Sequence, residues 1–88
     1  MAENIRHETS QARLLEFLQA DLDLSFTFLV TADIERIPDP DRCSSVLAKA
    51  REALGAIRSF EDRIEDPESR RTIHDRADEL ERRLQAFA

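Results

Sequence analysis

Tryptophan and tyrosine are absent from this 88-residue chain, glycine and cysteine occur once each, and proline occurs three times. Each scarcity closes off a class of structure or chemistry. A fold of many short strands needs turn residues at every reversal, and one Gly with three Pro cannot supply them. With Gly55 alone there is no phosphate-cradling loop and no dinucleotide fingerprint. A single cysteine closes no internal disulfide and builds no cysteine metal motif, which fits a reducing compartment. Without Trp or Tyr, two of the usual aromatic platforms for a base are missing. No apolar run exceeds three residues, Phe28, Leu29 and Val30 among the longest, so no segment spans a membrane as a helix. The opening residues, MAENIRHETS, lack the apolar stretch of a signal peptide, and the expected location is cytoplasmic.

What the chain does have is charge. Charged residues make up 36% and hydrophobic ones 41%, the balance of a well-solvated globular protein with room for one small core. The net charge of −6 is unevenly placed. Residues 1–41 hold three Arg and nine Asp or Glu, whereas residues 42–88 hold ten of each sign. With no basic excess in either half, the chain is a poor candidate for nucleic acid or anionic lipid. Arginine supplies twelve of the thirteen basic residues, a bias read as genome composition before function.

Two punctuation marks divide the chain. IPDPD at 37–41 and IEDPE at 64–68 share the form Ile-x-Asp-Pro-acidic. Aspartate caps a helix by accepting a free backbone N–H of the first turn, and Pro loses nothing at the next position. An acid one residue further on suits the positive end of the helix dipole. Each motif is therefore a predicted helix start, and the residue before each Pro is steered out of helix. After the second break Ile73, Ala77, Leu80, Leu84 and Phe87 form a narrow helical seam. After the first, Leu47, Ala50, Leu54, Ile57 and Ile64 do likewise, widened by Val46, Ala53 and Phe60. The two segments align at an offset of 27 residues, which two similar helices explain as well as duplication does. Pairs such as Arg58–Asp62, Arg71–Asp75, Asp78–Arg82 and Glu79–Arg83 mark solvated outer faces.

The segment DLDLSFTFLV at 21–30 alternates like a half-buried strand, yet no other segment offers a strand partner. At about 100° per residue, Leu14, Leu15, Leu18, Leu22, Phe26, Leu29 and Val30 fall in one arc. The alternation comes from a second stripe, Phe17, Leu24 and Phe28, set apart by Asp21 and Ser25. The prediction is an all-α fold, one antiparallel three-helix bundle running up-down-up over residues 1–88. Helix 1 is expected over about 9–36, with Asn4 as an alternative start and the order of residues 1–8 left open. Helix 2 is expected over about 40–64 and helix 3 over about 67–87. Such a bundle buries one stripe of helix 1 and leaves Phe17, Leu24 and Phe28 outside as a candidate interface. A symmetric homodimer through helix 1 is the expected way to cover them, against a monomer whose helix 1 is wrapped from both sides.

Catalytic grammar is thin. Cys43 lies at the start of helix 2, in register with its stripe, and reads as a core or boundary thiol. His74 has Asp78 at i+4, but two ligands make a weak metal site, and a solvated face is the simpler reading. His7 lies beside Glu8 in a stretch with no assigned role, and Ser44 and Ser45 have no nearby base. In a hairpin turning near residue 65, Cys43 and His74 are about 20 Å apart along the axis, which excludes a nucleophile–base pair within one chain. Carboxylates are too plentiful for a pair such as Glu61 and Glu65 to signal chemistry. Asp33, on the apolar arc near the end of helix 1, either reaches water or pairs with Arg36, Arg42 or Arg83. No catalytic residue, cofactor or metal site is assigned. The expected function is a non-catalytic interaction module, with a small-molecule- or metal-binding bundle as the alternative. An adaptor whose helix 1 is covered by another protein is also compatible, and an enzyme would need a site built between subunits.

Overall fold

The computed structural model describes residues 2–87, with side chains from Arg6 onward. Three helices follow one another: α1 (Ala2–Glu35), α2 (Pro40–Glu61) and α3 (Pro67–Gln85). They pack pairwise into an all-α three-helix bundle 56 Å long and 19 by 16 Å across, with no strand among the described residues. The short links force neighbouring helices antiparallel.

Both Asp-Pro motifs start helices as the cap chemistry requires. The Asp39 carboxylate accepts from Arg42 N at 3.1 Å, with Pro40 opening α2. The Asp66 carboxylate accepts from Ser69 N at 2.9 Å and from Ser69 Oγ at 2.6 Å, with Pro67 opening α3. Those two bonds hold the Asp66 carboxyl below the usual carboxylate range, the hydroxyl contributing most.

The helix ends differ from expectation in three places. α2 stops at Glu61 rather than near 64, because Arg63 and Ile64 turn back to bond the carbonyls of Phe60 and Glu61. That turn folds Ile64 under the bundle, where it is buried. α3 closes at Gln85, with Phe87 N bonded to Leu84 O in a final turn. At the other end α1 continues back to Ala2, through residues whose order the sequence left open. Its first turns are tied to the α2–α3 corner. Gln11 donates to Arg63 O at 3.0 Å and accepts from Glu65 N at 2.9 Å, and His7 Nε2 meets the Glu65 carboxylate. These ties span more than fifty residues of sequence, so no local pattern reveals them.

The core is one contiguous cluster. α2 contributes Cys43, Val46, Leu47, Ala50 and Ile57, and α3 contributes Ile73, Ala77, Leu80 and Leu84. From α1 come Leu18, Leu22, Ser25, Leu29 and Ala32, a regular 4-3-4-3 spacing. Of the expected arc, Leu18, Leu22 and Leu29 lie on this line and Leu14, Leu15 and Phe26 pack against it. Val30, expected inside it, is 61% exposed, while Ser25 is fully buried. The buried line of α1 runs through its small residues Ser25 and Ala32, both fully buried. The Ser25 hydroxyl donates to Asp21 O at 2.8 Å, so its burial leaves no unmet bond.

Candidate interaction surface

With Ser25 and Ala32 turned inward, the opposite side of α1 is left uncovered. Phe17, Leu24, Val30 and Ile34 are each at least half exposed, in a bundle whose core is otherwise closed. Of the three residues expected as an interface, Phe17 (53%) and Leu24 (50%) lie on this outer face. Phe28 is half-buried and packs against the core.

The face is more regular than that stripe. Phe17, Ala20, Leu24, Thr27, Thr31 and Ile34 recur at alternating steps of three and four, the seven-residue repeat of a helix seam. All six are uncharged, and all are exposed except Thr31, which is half-buried. The two threonines break the hydrophobic pattern in the sequence but little in the structure. Thr27 Oγ1 donates to Asp23 O at 3.0 Å and Thr31 Oγ1 donates to Thr27 O at 3.2 Å. Their hydroxyls are thus satisfied by the helix itself and ask nothing of a partner. Four acids border the seam: Glu16 and Asp23 on one side, Asp21 and Glu35 on the other.

At its C-terminal end the seam runs into an open groove of about 370 Å³ between the ends of α1 and α3. Leu29, Val30, Ile34 and Phe87 line it, with Arg36, Arg83 and Asp33 at its rim. Asp33 is largely exposed and lies 3.7 Å from Arg36, so water and a neighbouring guanidinium share it.

Arginine has a structural use that composition did not suggest. Arg36 lies over the ring of Phe87 (4.6 Å to the centroid), Arg63 over Phe60 (4.7 Å), and Arg76 and Arg83 over Phe26 (5.6 and 5.4 Å). Each of those half-buried rings has its outer face covered by a cation. Among the described residues no guanidinium stacks on Phe17 or Phe28, and Phe17 is the more open of the two. Of the two rings without a cation, the more exposed is the one on the seam.

A second cluster joins α2 to α3. Arg58, expected to pair with Asp62 on its own helix, instead crosses to Asp78 at 2.6 Å and Glu81 at 3.4 Å. Glu61 is buried, with His74 Nδ1 3.0 Å from its Oε1 and Arg58 Nη1 3.5 Å from its Oε2. Its Oε2 accepts no hydrogen bond. The other imidazole nitrogen of His74 lies 3.4 Å from Asp78 Oδ2. Facing two carboxylates, His74 has its pKa raised, chiefly by the bond to Glu61 and then by Asp78. Arg58 holds the Asp78 carboxyl below its ordinary range. The sequence carried one overlooked signal: Glu61 continues the apolar steps from Ile57 to Ile64, a position on the buried line of α2.

Cys43 is a buried free thiol in the core. Among the described residues no group of three or more His, Cys, Asp or Glu is placed to hold a metal ion, and no helix is long and apolar enough to cross a membrane. Compared with known proteins, the chain matches no protein family, no curated protein and no solved structure.

Proposed function

We propose that the protein is a non-catalytic interaction module that self-associates through the outward face of α1. The observation behind this reading is the open Phe17–Leu24 stretch on a seam whose threonine hydroxyls are already bonded. Burying a Leu or Phe is worth about 1.5–3 kcal/mol, and a bare seam of this length is the kind of surface that marks a protein interface. The small-molecule alternative has less behind it: the groove at the α1–α3 end is an open depression continuous with the seam.

Light scattering coupled to size-exclusion chromatography tests the reading over a concentration series. The expected wild-type mass is twice that of the chain. Phe17→Glu and Leu24→Glu are expected to give monomers with unchanged helix content. A wild-type monomer at every concentration, or a dimer indifferent to both substitutions, would sink the proposal.

A further inference from the structure

Resting on that self-association, we infer that the two copies pair antiparallel, with the two-fold axis between Leu24 and Thr27 and with Phe17 of each copy seated at the partner's Val30–Ile34 groove. Spacing and charge carry the inference together. In an antiparallel pair the two alternating seam positions face one another. Centred between Leu24 and Thr27, Phe17 meets the partner's Ile34, Ala20 meets the partner's Thr31, and Leu24 meets the partner's Thr27. All six seam residues are used, and none is left facing a charge.

The borders agree. Glu16 and Asp23 share one border of the seam, and the 2.7 Å pair between Asp23 and Arg76 places Asp23 on the side of α1 nearer α3. Antiparallel pairing carries these acids to the partner's end, where Arg36 and Arg83 rim the groove. Asp23 arrives opposite the partner's Val30, beside Arg83, and Glu16 opposite the partner's Ile37, next to Arg36. On the other border Asp21 arrives opposite the partner's Phe28. No acid meets an acid. A parallel, in-register pair would set Glu16 against the partner's Asp21, a like-charge contact repeated by symmetry. It would also leave each groove beside its own copy's Arg residues with no incoming acid.

Single-cysteine chains separate the arrangements. In a Cys43→Ala background, Ala20→Cys and Thr31→Cys alter small seam residues and leave Phe17, Leu24 and Ile34 in place. In the antiparallel pair these two positions face each other across chains. Each lies about 16 Å along the axis from its own copy, at 1.5 Å per residue, beyond the roughly 7 Å Cα separation a disulfide bridges. Under mild oxidation, mixing the two variants is expected to give a disulfide-linked dimer containing one of each, while either alone stays unlinked on a non-reducing gel. Circular dichroism confirms that each variant is folded. Linkage of each variant with itself means parallel pairing and overturns the inference. A parent of twice the chain mass with no linkage in either experiment means another register or face. That outcome also overturns the inference but leaves self-association intact. A monomeric parent removes both.

Discussion

At the scale of single residues, the surprises are polar groups at positions where spacing outweighs side-chain type. Glu61 sits between Ile57 and Ile64 on the inner line of α2, so it is buried although it is a carboxylate. Burial of a charge is costly unless partners surround it, and His74 and Arg58 are those partners. The general rule for buried ions is that replacing the whole set of partners by apolar residues is often neutral or stabilising, whereas removing one partner is costly. Arg58→Ala strips a cation from the buried carboxylate and is therefore expected to destabilise by about 1–3 kcal/mol in urea unfolding. Glu61→Leu takes the shared acceptor from Arg58 and His74, and is expected to destabilise less because both keep Asp78. A Glu61→Leu variant as stable as wild type, or more so, would show that the buried carboxylate contributes no net stability. His74 supplies a pH dependence whose sign is set by its raised pKa. The protonated ring can donate to both Glu61 and Asp78, so its contribution is full below the ordinary His value and fades as pH rises through the higher folded value. Between about pH 5.5 and about pH 8.5, either side of that ordinary value, wild type is expected to lose stability relative to His74→Asn. A constant difference between the two proteins would count against the linkage.

At the scale of helices, local grammar and local structure agree closely. The two Asp-Pro motifs were legible because capping needs only the next three residues. Helix starts therefore fell where cap chemistry places them, at Pro40 and Pro67. Helix ends were less legible, because the turn at 62–66 is shaped by Ile64 reaching the core. α2 also carries a local imperfection. Gly55 is exposed inside the helix with ordinary helical backbone, and a Cβ added there meets nothing within 4 Å. Gly55→Ala is accordingly expected to stabilise by about 0.5–1 kcal/mol through helix propensity and reduced freedom of the unfolded chain. A thermal melt reads this as a rise in Tm, and a fall would mean that the methyl collides with something.

Across the whole molecule, α1 is the organising element: it outlasts its neighbours, touches both, and bears the uncovered seam. Its first turns depend on the opposite corner of the bundle, where one Gln11 amide bridges Arg63 O and Glu65 N. Gln11→Ala leaves both backbone groups to water and is expected to cost about 1 kcal/mol. Hydrogen exchange would locate that loss in the first turns of α1, with the core of α3 unchanged. Equal loosening throughout would mean that the bundle melts as one unit and the corner has no separate role.

The sequence by itself determined that the chain is helical, where α2 and α3 begin, and most of the apolar residues that those two helices bury. These follow from cap chemistry and apolar spacing, both settled within a few residues. It also marked Phe17, Leu24 and Phe28 as surplus, since two narrow helices cannot cover every apolar face of a long third one. Tertiary structure decided the rest. Which face of α1 turns inward is settled by packing against α2 and α3, which buries Ser25 and Ala32, exposes Val30 and half-covers Phe28. Whether a threonine interrupts a seam or continues it depends on where its hydroxyl bonds. Whether an arginine is solvent charge or the lid of a phenylalanine depends on a ring brought near by another helix. Such contacts join residues far apart in the chain, so periodicity along it cannot report them.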